Sequence, residues 1–176
     1  LAILTFLVPI SCTPKAFDNP DYEIYSKILS TFKTRTIILK ELTAPLDLRF
    51  EYKNISTRMP LLEEETIQDF NNKFSTLDTL QNTFNTKKKI ILLSQREIHK
   101  IFADRDIYDW NNFYKHYPKT QGLTSFSRIG YNKNKTQALV YYWTQTFELA
   151  GAGYYVLYIR KNNRWVLTYF EIVGIS

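Results

Sequence analysis

Cysteine, histidine, methionine and glycine are all scarce in this 176-residue chain, at one, two, one and five residues. A single cysteine, Cys12, excludes an intrachain disulfide framework and any zinc site built on cysteines. Two histidines, His99 and His116, leave little material for a hydrolytic triad or an imidazole metal cluster. Five glycines leave little room for a phosphate-cradling loop, and neither G-x-S-x-G nor H-E-x-x-H occurs. The longest uncharged apolar run opens the chain, Leu1 to Cys12, and is well short of the roughly 20 residues that span a bilayer.

What the chain does have is apolar and aromatic bulk: 44% hydrophobic residues, 16% aromatic and 23% charged. That composition is far from the signature of disorder. A chain of this length hides roughly 70% of its surface on folding, enough for one substantial core and one domain. The formal charge of +6 invites a polyanionic partner. Its distribution argues against nucleic acid, because Arg128, Lys133, Lys135, Arg160, Lys161 and Arg164 mostly fall where turns are expected. The one run of three, Lys87-Lys88-Lys89, precedes an apolar strand, where charge discourages aggregation.

The opening run ends in a small residue and then Cys12. It reads as the end of a secretory signal whose apolar core resembles a bacterial lipobox, with Pro9 where leucine is usual. On that reading residues 1–11 are a truncated signal peptide and Cys12 is the lipid attachment site. Residues 12–19 are then a tether and residues 20–176 a single α+β domain. Several acyl chains on one cysteine anchor firmly, since each buried methylene contributes about 0.8 kcal/mol. The expected location is the bacterial cell envelope, periplasmic or at the cell surface.

Along the body, Asn19 and Pro20 predict a helix start, with Ile24, Tyr25, Ile28, Leu29 and Phe32 on one face over residues 20–33. Residues 36–39 read as a strand and residues 43–60 as irregular. A helix follows Pro60, with Glu63, Glu64 and Glu65 in its first turn and Ile67, Phe70, Phe74 and Leu77 at helical spacing. Residues 90–93 form an apolar strand running into a capping box, Ser94-Gln95-Arg96-Glu97, that opens a short helix. Another helix starts at Asp109 and stops at Pro118. From Leu123 onward four strands are expected, over residues 125–131, 137–147, 153–161 and 165–175, with Asn162-Asn163 as a two-residue hairpin loop. The expected architecture is N-terminal helices packed on a C-terminal four-stranded antiparallel meander, of the cystatin-like or NTF2-like curved kind.

Both alternating faces of these strands are apolar: Ala138, Val140 and Tyr142 on one, Leu139, Tyr141 and Trp143 on the other. One face is expected to pack the helices and the other to offer a partner surface, with Tyr141, Trp143, Tyr155 and Tyr158 as its candidates. No catalytic residues, metal ligands or cofactor are assigned. Asp104, Asp106 and Asp109 lack the glycine of a calcium loop, and Lys115 stands where its bidentate glutamate belongs. A Glu148 and Glu171 pair has acid/base chemistry only if the fold joins them.

Several blocks resemble an uncharacterised group of bacterial lipoprotein-like envelope proteins. They are Trp110-Asn111-Asn112-Phe113-Tyr114-Lys115-His116-Tyr117-Pro118, Ser127-Arg128-Ile129-Gly130-Tyr131-Asn132, Thr136 to Tyr141, Gly151 to Leu157 and Arg164-Trp165. The similarity covers roughly residues 90–176. It implies an exported protein and supplies no catalytic residues. Ser127, Arg128, Gly130 and Asn132 are its most distinctive positions, read as turn formers, with Arg128 as a possible anion contact. The expected function is a non-enzymatic, lipid-anchored envelope module that binds a protein or small molecule. The alternative is a small periplasmic hydrolase with a pocket between sheet and helices, using His99, His116 or a carboxylate.

Overall fold

The computed structural model describes residues 19–43, 55–74, 76–102 and 109–175. Cys12, the signal-like run before it, Asp104 and Asp106 lie outside the described residues. Helix α1 (Pro20–Thr31) begins where the sequence expects: the Asn19 side chain accepts a hydrogen bond from the Asp21 N–H at 2.9 Å, with Pro20 in the first turn. It ends two residues early because Phe32 turns into extended backbone. Strand β1 (Thr36–Lys40) follows, then a one-turn helix α2 (Ile55–Arg58) in the stretch expected to be irregular, then α3 (Glu64–Phe74). Strand β2 (Lys89–Leu93) leads into α4 (Gln95–Phe102), whose capping box is formed: the Glu97 carboxylate accepts from the Ser94 N–H, and Ser94 Oγ accepts from the Glu97 N–H. Helix α5 (Trp110–His116) is capped by Asp109, which accepts from the Asn112 N–H at 3.0 Å.

The C-terminal half forms β3 (Leu123–Phe126), β4 (Gly130–Tyr131), β5 (Gln137–Phe147), β6 (Ala150–Lys161) and β7 (Arg164–Ile175). The β6–β7 hairpin closes on Asn162 and Asn163 with φ of 49° and 59°, the left-handed pair that a two-residue turn needs. The long antiparallel ladder β5–β6–β7 is as expected, but the sheet is not a four-stranded antiparallel meander. It is mixed and seven-stranded, in the order β2-β1-β3-β5-β6-β7, with β4 also paired to β5. β1 lies parallel to both β2 and β3. Two corrections follow. The expected strand over 125–131 is broken into β3 and β4, and the two N-terminal strands join the same sheet through helical crossovers, as parallel neighbours must.

Helices cover both faces. On one face α1 packs Ile24, Tyr25, Ile28 and Leu29 against Ile37, Leu39, Phe126, Val140, Tyr142, Val156, Tyr158 and Trp165. On the other, α2 and α3 bring Ile55, Met59, Phe70 and Phe74 onto Leu139, Tyr141, Tyr155 and Leu157. α4 and α5 close the β1–β3 end around Ile38, Leu93, Phe113 and Leu123. This double cover explains why β5 and β6 are apolar at successive positions rather than alternately. It also overturns the partner-surface assignment for three of its four residues. Tyr141, Tyr155 and Tyr158 are 2%, 2% and 3% exposed, core residues under the helices. Trp143 is half-buried on the α3 face.

Two side-chain clamps set α3 on the sheet. Buried Gln137 accepts from the Glu63 N–H at 3.0 Å and from Thr66 Oγ at 3.1 Å, and donates to the Leu61 carbonyl at 2.6 Å. Asn132 accepts from the N–H groups of Thr136 and Gln137 and donates to the Glu63 carboxylate at 2.8 Å. Both supply partners to backbone groups at a helix start and a strand start that are otherwise orphaned.

Candidate functional site

α1 stops at Thr31, whereas β5, β6 and β7 run on past it. The part of the sheet beyond the helix end is therefore only partly covered on the α1 face, and a groove of about 780 Å³ lies there. Its floor is set by strand register: Tyr142 sits opposite Tyr154, and Thr144 opposite Ala152, while Tyr154 sits opposite Ile172 and Val156 opposite Phe170. Thr31, Phe32 and Lys33, together with Tyr114, Thr120 and Gln121, also line it.

An aromatic row crosses the floor. Ring centroids are 5.9 Å apart for Phe32 and Tyr142, 4.8 Å for Tyr142 and Tyr154, and 5.1 Å for Tyr154 and Phe170. The Tyr142 and Tyr154 rings are stacked, 25° apart in plane. The row continues inward through Phe126 to Tyr25, so the groove wall is an extension of the core. Phe170 and Ile172, at 46% and 49% exposure, form its open rim.

Much of the polar lining is already bonded. Tyr114 donates to the Thr146 carbonyl at 2.9 Å, Thr146 Oγ donates to the Ala150 carbonyl, and the Thr144 and Thr124 hydroxyls pair at 3.0 Å. Burial, with Tyr154 and Tyr158 adding to it, pushes the Tyr142 hydroxyl well above its ordinary range, so it stays protonated at neutral pH. Lys33 is the one charged residue among the described residues lining the groove. The volume, the apolar floor and the sparse polar groups match a small-molecule cleft.

A second concavity, about 550 Å³, lies at the N-terminus of α1 and is polar. There the Tyr131 hydroxyl donates to Asp21 at 2.7 Å, and Asp69 accepts from Lys73 Nζ and from the Tyr131 N–H, both at 2.7 Å. Lys73 also donates to the Ile129 carbonyl and lies 5.3 Å from the Tyr131 ring centroid. These bonds latch α1 and α3 to β4; the carboxylates are engaged in holding the fold. Burial, outweighing the Tyr131 hydrogen bond and the Lys73 charge, raises the Asp21 carboxyl above its usual range. A raised folded-state pKa contributes stability that is full below the unfolded value, near 3.9, and is lost as pH rises through the folded one. The melting temperature of the wild type minus that of Asp21→Asn is therefore expected to be greater at pH 4 than at pH 7. Parallel melting curves of the two proteins test this, and a constant difference would refute it.

The distinctive Ser127 to Asn132 block proves to be joinery. Ser127 Oγ accepts from the Tyr141 N–H at 2.9 Å and donates to the Arg128 carbonyl, and the Tyr25 hydroxyl donates to the Ser127 carbonyl. Arg128 donates to Thr76 Oγ at 2.7 Å. His99 is exposed on α4, and His116 is exposed with its Nδ1 2.9 Å from the Asn112 carbonyl; neither lines either concavity. Glu148 is at the β5–β6 tip, whereas Glu171 faces Tyr155, five residues along β6 from Ala150 and so about 16 Å away. The fold does not join them. Among the described residues no group of three His, Cys, Asp or Glu side chains could hold a metal ion.

The residues that sequence reasoning missed are Tyr142, Tyr154, Phe170, Ile172 and Lys33. The alternation placing Tyr142 opposite in sense to Tyr141 is legible, but which face stays bare depends on where α1 ends. Compared with known proteins, the chain matches no family model, no curated protein and no solved structure.

Proposed function

We propose that this protein is a lipid-anchored binding module of the bacterial cell envelope, and that it holds an apolar ligand in the groove beyond α1. The observation that carries the binding reading is the aromatic row on the groove floor, which runs from buried Tyr142 through half-buried Tyr154 to exposed Phe170. Isolated exposed apolar residues need no explanation, but a continuous row opening onto Phe170 and Ile172 is a recognition feature. The anchor rests on Cys12 after its signal-like run and on the resemblance of residues 90–176 to envelope lipoproteins. Long strands β5–β7 laid over α1 are what a cystatin-like or NTF2-like reading rests on. The hydrolase alternative loses its histidines, which stand outside both concavities, and its carboxylates Asp21 and Asp69, which line the polar concavity, are bonded to Tyr131 and Lys73.

A neutral apolar dye such as Nile red tests the groove. Ala152 lies on its floor opposite Thr144, and Ala152→Leu fills it. Dye binding is expected to weaken at least tenfold with little change in melting temperature. Equal binding by the two proteins would remove the groove from consideration. For the anchor, metabolic lipid labelling of the precursor is expected to disappear in Cys12→Ser, and labelling that persists would refute it.

A further inference from the structure

The groove combines three features that together specify a ligand chemistry. First, its only charge among the described residues is Lys33, at the end formed where α1 gives way to β1. Lys33 is exposed, and the one ion pair among the described residues joins Lys73 to Asp69 elsewhere, so its ammonium is not neutralised. Among the described residues no carboxylate lines the groove to repel an anion. Second, the aromatic faces are already used. Tyr154 has Tyr142 against one side at 4.8 Å and Phe170 at 5.1 Å, both at shallow interplanar angles of 25° and 33°. Tyr154, flanked on both sides, and buried Tyr142 therefore present edges rather than faces to a ligand on the floor. Third, the floor between the rings and the far end is made of the small residues Ala150, Gly151 and Ala152 and the methyl-bearing Thr144 and Thr146. Tyr142, Thr144 and Thr146 share one strand and span about 13 Å at the strand rise, giving a trough along β5.

We infer that the groove takes an aliphatic carboxylate, its chain laid in the trough along Thr144 and Ala152 and its head group against Lys33. An extended, flexible chain suits a trough bounded by ring edges and methyl groups, and a terminal anion suits the single unpaired cation. The inference rests on the groove being a binding site, as proposed above, and adds the identity of what enters it.

The test is displacement of Nile red from the full chain by dodecanoate, by dodecanol and by biphenyl-4-carboxylate, each below its aggregation limit. An exposed ion pair contributes modestly, so dodecanoate is expected to bind about three- to fivefold more tightly than dodecanol at low salt. That advantage should shrink in 1 M salt, where the screening length is near 3 Å. Lys33→Gln should erase it and leave dodecanol affinity unchanged; the exposed side chain makes this a variant that folds. Biphenyl-4-carboxylate, flat and anionic, should bind less tightly than dodecanoate. Equal affinity for acid and alcohol, or an advantage that survives Lys33→Gln, overturns the anionic head group while leaving the groove reading intact. Biphenyl-4-carboxylate binding as tightly as dodecanoate overturns the aliphatic chain. Displacement that is identical in wild type and Ala152→Leu overturns the groove reading itself.

Discussion

Replacing Phe126 with alanine is expected to destabilise the protein by roughly 4 kcal/mol, the usual cost of deleting a fully buried aromatic ring. Phe126 is completely inaccessible on β3, with its ring 4.8 Å from Tyr25 on α1 and 5.8 Å from Tyr142 on β5. It joins the helix to the groove wall. Little around it can collapse into the space, because its neighbours are held by strand register on one side and by the bond from Tyr25 to the Ser127 carbonyl on the other. For a domain of this size the loss corresponds to a melting temperature lower by about 10 °C. Tyr142 also loses its backing, so ligand affinity should fall in the same variant even at temperatures where it is fully folded. Phe126→Leu, which restores most of the volume, should recover most of both. A drop of less than about 2 °C for the alanine variant would show that the ring is not the keystone described.

The second large effect comes from adding a single methyl group. Gly130 on β4 passes directly beneath α3, and a Cβ built there would come within 2.5 Å of the Phe70 Cα and nitrogen, and closer still to its Cβ. These are backbone atoms of a helix pinned by Gln137 and by the bond from the Tyr131 N–H to Asp69. They cannot rotate aside as a side chain would. Gly130→Ala is therefore expected to lift α3 off the sheet and cost roughly 3 kcal/mol, at the upper end of overpacking effects. Denaturant unfolding would check it: an unchanged midpoint would mean that α3 does not lie this close to β4.

Gly130 also shows where a sequence can and cannot be read. Its place in a distinctive block is visible, and a turn-forming role is the natural reading of Ser127, Arg128, Gly130 and Asn132. Asn132 does close the turn before β5, accepting from the Thr136 and Gln137 N–H groups, but that the block also welds β4 to α3 and α1 depends on residues 60 to 110 positions away in the chain. The same division holds elsewhere. Asn19-Pro20, Ser94 with Glu97, Asp109 and Asn162-Asn163 act on their own neighbours within three residues, and each element they start or close stands where expected. The one-turn helix α2 went unread because a single turn has too few apolar repeats to show a period.

Strand pairing was the larger gap. Thr36 to Leu39 and Ile90 to Leu93 announce themselves as apolar strands, but their parallel pairing with each other, and of β1 with β3, is set by how the intervening helices pack, for which a local pattern holds no signal. The partner surface was misplaced by one residue for a related reason. Successive side chains on a strand point to opposite faces, and in β5 both sets are apolar, so Tyr141 and Tyr142 are equally eligible until a helix covers one. α3 buries Tyr141 and Tyr155; α1, ending at Thr31, buries Tyr158 and Tyr142 but leaves Tyr154 half-buried at the groove floor.

By itself, then, the sequence determined the α+β class and the sites of the caps and hairpin, because composition, capping and turn conformation are properties of short range. Only the tertiary structure decided the mixed order of the sheet, the burial of Tyr141, Tyr155 and Tyr158, and the groove with Lys33 at its end. The groove arises where a twelve-residue helix meets strands long enough to outrun it, a comparison of lengths and directions that exists only once the chain is folded.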